Sequence, residues 1–327
     1  MGRVLVTGAT GFTGGALARR LVSDGAQVRA LVREPARAEP LTALGIEIAH
    51  GDLRDPTSLR KALCGVDVVY NIAAVYRQQG IEPQLFREIN RTGVQHLLDA
   101  ATEAGVSRFV HCSTVGVHGH VKHPPAAEDA PLAPGDLYQE SKLDGERIAA
   151  RYMAEGRLPI TIFRPAGIYG PSDSRFLKLF RGIKRGRFPM IGDGRVLYHG
   201  IYIDDLLDGI IRCGTLDQAI GETFILAGPE YTTINELVAI VAEEVGARPP
   251  WLRIPLAPIY VAAAACEAVC KPMKLEPWLH RRRVDFFTKS RAFDISKARR
   301  DLGYAPQVSL REGVARTAAW YTERGLL

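Results

Sequence analysis

The stretch Thr7-Gly-Ala-Thr-Gly-Phe-Thr-Gly14 lies between an apolar run at residues 3–7 and a segment whose apolar residues have helical spacing. Its three glycines have separate roles in a turn from strand to helix. Gly8 permits the tight turn, Gly11 lets the backbone approach a pyrophosphate, and Gly14 lets the helix pack closely on its strand. The first N–H groups of the helix then face the bound anion. The stretch therefore predicts a dinucleotide-binding loop.

The alternation of strand and helix continues along the chain from this loop. Strands are predicted at residues 3–7, 27–32, 46–49, 66–71, 108–112 and 159–164. Helices are predicted at residues 14–24, 55–64, 90–104 and 137–154. Such alternation implies right-handed crossovers and parallel strands with helices on both faces. The predicted fold class is therefore α/β, with a doubly wound parallel sheet of the Rossmann type.

The alternating pattern ends after Pro171, where the chain becomes irregular and rich in Gly, Pro and Arg. Strand-like pieces return at residues 196–203 and 223–226. This shift predicts a smaller C-terminal substrate-binding lobe attached to the sheet. We expect a dinucleotide-binding domain at residues 1–170, with returning segments at about 196–227, and a mainly substrate-binding lobe at residues 171–327.

Composition and charge favour a globular protein with a small-molecule ligand. Hydrophobic residues make up 46% and charged residues 24% of the 327 residues, which is ordinary for a globular chain. The net charge of +6 suits an anionic ligand such as a phosphorylated cofactor. Two basic clusters, at residues 280–283 and 297–300, are predicted to be solvated faces. No nucleic-acid recognition motif accompanies them, so no nucleic-acid partner is expected.

The cysteines indicate a reducing compartment, and the apolar segments indicate neither a signal peptide nor a membrane span. The five cysteines are odd in number and have no C-x-x-C spacing, which predicts free thiols. The first residues follow a core-strand pattern rather than that of a signal peptide. The most apolar stretch, residues 254–269, contains two prolines and a glutamate and is too short to span a bilayer. A cytoplasmic location is expected.

The end of the second predicted strand bears on the choice of cofactor. A carboxylate at this point would bind the adenosine ribose diol and repel a 2′-phosphate. Here the strand ends in Val32-Arg33, and Glu34 lies beyond the tip. Arg33, together with Arg37, could pair with a 2′-phosphate, although an exposed arginine is the alternative. NADP(H) is therefore favoured, with NAD(H) as the second choice.

Two further strand ends carry weaker signals for the cofactor. Asp52 and Leu53 follow the third strand, where a carboxylate and a backbone group can reach the adenine amine. Ala73 and Ala74 follow the fourth strand, where small residues would let a ribose lie against the backbone. A capping aspartate and a small-residue turn explain the same patterns.

The catalytic signal is Tyr138-Gln-Glu-Ser-Lys142, which puts the phenol and the amine on one face of a helix. The pKa of an isolated phenol is about 10, so at neutral pH too little phenolate is present for it to act as a base. A nearby ammonium and the cation of an oxidised nicotinamide both favour the phenolate. The fifth strand ends in Ser113 and Thr114, and this end faces the cofactor crevice. A hydroxyl at Thr114 can hold a substrate oxygen beside the phenol.

With these motifs the sequence resembles the extended short-chain dehydrogenases/reductases, which include NAD-dependent sugar epimerases, dehydratases and 3β-hydroxysteroid dehydrogenases. Besides the glycine loop, the Ser-Thr strand end and Tyr-x-x-x-Lys, the family's order includes Arg164-Pro…Tyr169-Gly-Pro171 and Asp294…Leu302-Gly-Tyr-x-Pro306. The likeness covers nearly the whole chain.

The resemblance implies roles for individual residues. Thr114 would be the catalytic hydroxyl, with Ser113 as its potential substitute, and Tyr138 the acid/base. Lys142 would tune the phenol and hold the nicotinamide ribose, while residues 165–168 would line the nicotinamide. Asn90 matches a family asparagine that supports a proton relay, and helix capping is an equally good explanation. The predicted cofactor contacts are Gly8, Thr10, Gly11, Phe12, Thr13, Gly14, Arg33, Asp52, Leu53, Ala73, Ala74, Tyr138, Lys142, Pro165 and Ile168.

Departures from the family pattern argue against a nucleotide-sugar enzyme and against a dehydratase. Nucleotide-sugar enzymes usually carry an Asn where this chain has Gly167, and an Arg where it has Tyr198. A diphosphate site without that amide and guanidinium loses much of its affinity, although Arg291 is retained at a third position. Dehydratases normally place an acid directly after the catalytic Thr, where this chain has Val115 and Gly116.

The predicted function is therefore an NAD(P)-dependent oxidoreductase that interconverts a secondary alcohol and a ketone on an apolar substrate, similar to the 3β-hydroxysteroid dehydrogenase branch. The alternatives are a nucleotide-sugar 4-epimerase with tightly bound NAD and a cofactor-binding regulatory protein. The apolar segment at residues 251–269 would be a pocket wall, a membrane-contacting flap or a core helix. Relatives commonly dimerise through the helices predicted at residues 90–104 and 137–154, so a homodimer is expected. His118, His120 and His123 are predicted to be loop imidazoles, and no metal site is expected.

Overall fold

The computed structural model describes residues 2–76, 81–270, 273 and 284–327. The strands in these ranges are β1 Arg3–Thr7, β2 Gln27–Val32, β3 Glu47–His50, β4 Val68–Asn71, β5 Arg108–Cys112, β6 Ile160–Pro165, β7 Gly167–Tyr169, β8 Met190–Ile191, β9 Leu197–Tyr198, β10 Gly200–Tyr202, β11 Thr223–Leu226, β12 Thr232–Thr233 and β13 Arg253–Ile254. The α-helices are α1 Phe12–Ser23, α2 Glu39–Thr42, α3 Pro56–Leu63, α4 Pro83–Arg87, α5 Gly93–Glu103, α6 Leu137–Ala154, α7 Leu177–Lys184, α8 Ile203–Thr215, α9 Ile234–Glu244, α10 Leu256–Cys270, α11 Ser296–Leu302 and α12 Leu310–Glu323. Short 3₁₀ turns lie at Pro35–Arg37, Val115–His118, Asp217–Ala219 and Asp285–Phe287, and a π-helix at Glu88–Thr92 joins α4 to α5.

One parallel sheet organises the described residues, with the strand order β11-β6-β5-β4-β1-β2-β3. The order reverses beside β1, which pairs with β2 on one side and β4 on the other. This reversal opens a crevice at the carboxyl ends of the strands, where ligands bind in such sheets. Each strand predicted between residues 3 and 164 is present, so the predicted doubly wound fold is confirmed.

Both faces of the sheet are buried under helices. Leu5 packs with Val69 and Phe109 on the face covered by α3, α5 and α6. Val6 and Val110 point to the opposite face, which packs against α1 and α8. All five side chains are fully buried. Since successive residues of a strand alternate between faces, these continuous apolar runs supply two cores at once.

Within the described residues, the chain after residue 170 contributes one strand to the main sheet, and its other strands form short pairs. β11 lies at the sheet edge beside β6, while β10 pairs with β7. The strand predicted at residues 196–203 is therefore divided, because β9 pairs with β12 rather than continuing into β10. The division into domains at residues 1–170 and 171–327 stays a prediction.

The apolar segment at residues 251–269 forms a strand and most of α10, and its side chains are largely exposed. Val261 is 67% and Tyr260 46% exposed, whereas Ala263 is fully buried. The core-helix alternative is therefore wrong, and the pocket wall and the membrane-contacting flap stay predictions. Within the described ranges, no helix has both the length and the hydrophobicity that a bilayer crossing requires.

The five cysteines and one of the two basic clusters lie within the described residues. All five cysteines are free thiols, and the sulfurs of Cys266 and Cys270 lie 4.0 Å apart. In the cluster at residues 297–300, the Lys297 ammonium binds the Glu222 carboxylate at 2.7 Å. The cluster at residues 280–283 lies outside the described residues.

A close contact between α6 and the π-helix gives a stability prediction. A Cβ at Gly145 would collide with the Asn90 carbonyl oxygen, a backbone atom that cannot move aside. We expect Gly145→Ala to lower the free energy of unfolding by about 1–3 kcal/mol, because overpacking outweighs the better helix propensity of alanine. Urea denaturation measures the change.

Gly182 in α7 is the matched control. Its added Cβ would meet the Phe188 Cβ at 3.5 Å, an ordinary contact. Gly182→Ala should leave the free energy of unfolding unchanged or raise it by up to about 1 kcal/mol. Equal effects of the two substitutions would contradict the proposed close contact.

Candidate active site

The glycine loop has the geometry of an anion-binding turn. Gly8 has a φ of +73°, and a Cβ there would lie 2.9 Å from the Ala73 nitrogen. α1 begins at Phe12, two residues before the predicted start, and its N-cap Gly11 offers no side chain to cap it. The first turn of this 12-residue helix contains no acidic residue. Its N–H groups therefore fit the diphosphate of a dinucleotide, which would approach where side chains are missing.

A row of polar side chains crosses β1, β4 and β5 beneath this loop. The Thr7 hydroxyl donates to Asn71 Oδ1 at 2.9 Å and accepts from the Ala73 N–H at 3.0 Å. Asn71 Nδ2 lies 3.2 Å from His111 Nδ1. The strand register places the three residues side by side. The row therefore fixes the end of β4, including Ala73, against the glycine loop.

The predicted adenosine contacts lie among charged side chains. Arg33 pairs with Glu34 at 2.7 Å, and Arg37 donates to the Thr10 carbonyl at 3.3 Å. The hydrogen bond from Arg54 lowers the pKa of Asp52, against an opposing effect of burial, and the charge of Arg33 contributes. Asp52 is therefore an ionised acceptor beside two guanidinium groups.

Lys142 holds α6 against the end of β5. Its side chain is buried, and its Nζ donates to the Cys112 carbonyl at 2.5 Å. Burial lowers the pKa of the Lys142 ammonium. Two residues further on, Thr114 Oγ1 accepts from the Gly116 N–H at 3.0 Å and so caps the 3₁₀ turn. This bond uses a lone pair of the Thr114 hydroxyl, whose proton can still be donated to a ligand.

Ser113 directly follows β5 and belongs to a buried ion-pair network. Its hydroxyl donates to Glu146 Oε2, and Arg164 Nη2 lies 2.6 Å from Glu146 Oε1. Arg164 Nη1 also lies 3.0 Å from His118 Nε2 and donates to the Glu128 carbonyl at 2.7 Å. The expectation that Ser113 could substitute for Thr114 is therefore wrong, since its hydroxyl is buried and engaged by Glu146.

Asn90 lies inside the π-helix rather than at a helix end, so the capping alternative is wrong. Its Oδ1 accepts from the Val75 N–H at 2.8 Å, and its Nδ2 donates to the Val75 carbonyl at 3.0 Å. Nδ2 also donates to the Ser141 hydroxyl at 3.0 Å. π-turns are frequent at functional sites, and this one joins the loop after β4 to α6. The proton-relay role of Asn90 stays a prediction.

Two residues without a prediction from sequence also lie at the site. Tyr76 packs edge-on against Tyr138, with ring centroids 5.0 Å apart. The guanidinium carbon of Arg175 lies 5.6 Å from the Tyr76 centroid and 5.4 Å from that of Phe12. The only signal in the sequence is an Asp-x-Arg shortly after Tyr169-Gly-Pro171, a spacing that suits a side-chain pair in a turn.

The positions that depart from nucleotide-sugar enzymes come together in space. A Cβ at Gly167 would lie 2.8 Å from the Tyr198 hydroxyl oxygen. Arg291 runs alongside Tyr198, and its N–H donates to the Leu197 carbonyl at 2.8 Å. The Tyr198 ring is 6.2 Å from Phe176, centroid to centroid. Burial raises the pKa of Tyr198 well above its usual range. The wall beside β7 is thus lined by aromatic rings, and the charge of the nearby Arg175 opposes this rise in pKa.

Known proteins match the chain over most of its length. The model of the family described as NAD dependent epimerase/dehydratase family matches residues 4–227. Sterol demethylase protein B of Methylococcus capsulatus is 32% identical, over 99% of this chain and 99% of its own. The 2-alkyl-3-oxoalkanoate reductase of Stenotrophomonas maltophilia is 30% identical, over 97% of this chain and 98% of its own.

A solved structure agrees with this likeness. The double mutant of DesIV, a dTDP-glucose 4,6-dehydratase from Streptomyces venezuelae, was determined with NAD and DAU bound. It is 29% identical and superimposes with a TM-score of 0.79, covering 99% of this chain and 98% of that chain. The dehydratase fold and the fold described above are therefore the same.

Three buried histidines predict loss of stability in acid. His111, His118 and His199 are at most 4% exposed, and burial lowers the pKa of each. In the unfolded chain the pKa of a histidine is about 6.5. As the pH falls below that value, the unfolded state binds protons that the native state does not bind. The free energy of unfolding should therefore fall by up to about 1.4 kcal/mol per pH unit for each histidine.

Urea denaturation between about pH 5 and pH 8 measures this slope. His111→Gln should make the slope shallower, because one buried imidazole is removed. His123→Gln is the control, since His123 is exposed and should leave the slope unchanged. An equal slope in the wild type and the His111 variant would contradict the argument.

Proposed function

The chain belongs to the NAD dependent epimerase/dehydratase family, and we propose that it is an NAD(P)-dependent oxidoreductase that interconverts a secondary alcohol and a ketone on an apolar substrate. The 32% identical relative named as a sterol demethylase protein and the 30% identical reductase of an oxoalkanoate support this class of substrate. A homodimer through α5 and α6, a cytoplasmic location and peripheral membrane contact through α10 remain part of the proposal.

The observation that carries the proposal is the packing of Tyr198 over Gly167. The family's nucleotide-sugar enzymes usually bind a diphosphate with an amide and a guanidinium at these two positions. Here a phenol occupies the space that an Asn at position 167 would need. Phe176 and Phe286 pack around the same ring. An aromatic wall binds apolar surface and offers little to a diphosphate, so a lipophilic ketone or alcohol suits it better.

The proposed reaction uses three side chains on a carbonyl substrate. Thr114 donates its hydroxyl proton in a hydrogen bond to the carbonyl oxygen, and Tyr138 gives a proton to that oxygen as it becomes an alcohol. The Lys142 ammonium stabilises the phenolate that remains. When bound, the reduced nicotinamide supplies the hydride that reaches the carbonyl carbon. In the reverse direction the Tyr138 phenolate takes the alcohol proton.

A nucleotide-sugar 4-epimerase is the second candidate, favoured by Arg291 at the retained diphosphate position. The two candidates differ in their use of cofactor. An oxidoreductase consumes one cofactor per turnover, whereas an epimerase returns it to its starting state.

The first test follows the absorbance of reduced nicotinamide while ketones, sterols and nucleotide-sugars are offered with each cofactor. We expect net oxidation of the reduced nicotinamide when a lipophilic ketone is offered. Tyr138→Phe should lower kcat at least about a hundredfold with little change in cofactor binding, because the proton donor is lost. Tyr231→Phe, a partly exposed tyrosine outside the site, is the control and should retain activity. Turnover of a nucleotide-sugar without net cofactor change would replace the proposal with the epimerase.

The choice of cofactor is tested separately at Arg33. We propose NADP(H) because Arg33 directly follows β2 and Arg37 lies in the next turn, while the first acid beyond the strand, Glu34, is already paired with Arg33. Arg33→Gln should weaken NADPH binding about tenfold or more and leave NADH binding unchanged, since NADPH alone carries the 2′-phosphate. Glu34→Gln is the control, and it should not weaken NADPH binding. Fluorescence titration of both cofactors gives the dissociation constants; equal losses for both would refute the preference.

A further inference from the structure

We propose that Arg175 binds the diphosphate of the dinucleotide cofactor and holds the cofactor in its cleft. The inference rests on the proposed use of a nicotinamide dinucleotide but not on the choice of substrate. The glycine loop supplies backbone N–H groups for the same anion, and Arg175 would add a charged side chain that comes from the chain after β7.

Arg175 contacts three separate parts of the cofactor cleft. Its guanidinium carbon lies 5.4 Å from the ring centroid of Phe12, the first residue of the anion-binding helix α1. The same carbon lies 5.6 Å from the Tyr76 centroid, and Tyr76 packs against Tyr138. Arg175 Nη2 donates to the Ile168 carbonyl at 2.9 Å, beside the predicted nicotinamide site. One cation therefore spans the cleft between its phosphate end and its nicotinamide end.

The guanidinium is held in place by a buried carboxylate. The Asp173 side chain is 1% exposed and accepts from Arg175 Nε at 2.8 Å and from Nη2 at 3.3 Å. The Tyr321 hydroxyl donates to the Asp173 carbonyl and ties this turn to α12. Ser172, the preceding residue, has a φ of +72°, a conformation that costs free energy in a residue other than glycine. Such strain persists where the surroundings impose it, often beside a ligand.

The remaining donors of Arg175 suit an anion in the cleft. Within the described part of the chain, the hydrogen bonds of its guanidinium use Nε and Nη2, so the Nη1 donors remain for a ligand. The Arg175 side chain is 36% exposed, in contrast to its buried partner Asp173. An ion pair with a purely structural role would not require the Arg175 guanidinium to be exposed. A guanidinium fixed on one edge by a carboxylate and open on the other is a ready phosphate ligand.

The test measures ligand affinity on the full chain rather than activity. Dissociation constants for NADH, NADPH, ADP-ribose and adenosine are measured by calorimetry for the wild type and Arg175→Gln. Loss of a charged donor should weaken binding of the three diphosphate ligands about ten- to a hundredfold. Adenosine, which lacks the diphosphate, should bind equally to both proteins. The affinity of Arg175→Lys for the diphosphate ligands should lie between those of the wild type and Arg175→Gln, because a point charge cannot bind the carboxylate and the phosphate together.

Arg324→Gln is the matched control. The Arg324 guanidinium stacks on Trp320 at 4.6 Å, in the same manner as Arg175 on Phe12, but outside the candidate site. It should leave all four affinities unchanged. Urea denaturation of each variant shows that the proteins compared are folded.

Three outcomes overturn the inference. Unchanged affinity of folded Arg175→Gln for ADP-ribose removes the diphosphate contact, and equal weakening of adenosine and ADP-ribose assigns Arg175 a structural role only. A wild type that binds neither NADH nor NADPH removes the cofactor proposal as well. A wild type that binds both, loses affinity in Arg175→Gln and reduces no ketone supports the inference while the proposed function fails.

Discussion

The hydrogen bond from the Lys142 ammonium to the Cys112 carbonyl determines the arrangement of the candidate site. It fastens the second turn of α6 to the end of β5, so the Tyr138 helix face and the Thr114 turn keep a fixed relation. A buried amine is costly unless it is hydrogen-bonded, and the carbonyl at a strand end is a partner that the sheet leaves available. The hydrogen bond therefore forms here because α6 passes the carboxyl end of β5.

The floor and the walls of the crevice differ in character. The floor consists of the Thr7–Asn71–His111 row, whose members are held by strand register and buried from water. The walls come from irregular segments and carry aromatic or charged side chains, notably Tyr76, Arg175 and Tyr198. Register is rigid because a shift of one residue would turn every side chain to the other face. Variation between related sites is therefore expected in the walls rather than in the floor.

Sequence periodicity was sufficient for the sheet, because each buried strand and amphipathic helix is a local pattern. Its limits appear where long-range contacts decide. The π-turn at Asn90 packs closely against Gly145 on another helix, and nothing in the local sequence signals it. The contacts of Arg175 join residues about a hundred or more positions apart. The preference for Thr114 over Ser113, by contrast, came from the family resemblance, and the engagement of the Ser113 hydroxyl by Glu146 depends on a residue of another element.

The contact between Gly167 and Tyr198 has a consequence for how such sites change over time. A Cβ at position 167 would lie 2.8 Å from the Tyr198 hydroxyl oxygen, so a side chain there requires the ring at position 198 to shift and the two positions are mutually dependent. Introducing an amide at position 167 alone would meet the phenol, and introducing a guanidinium at position 198 alone would place a charge among aromatic rings. Each single substitution is therefore disfavoured in this chain. Positions 167 and 198 are thus expected to change together or not at all, so that the glycine–tyrosine pair, once established, resists replacement one residue at a time.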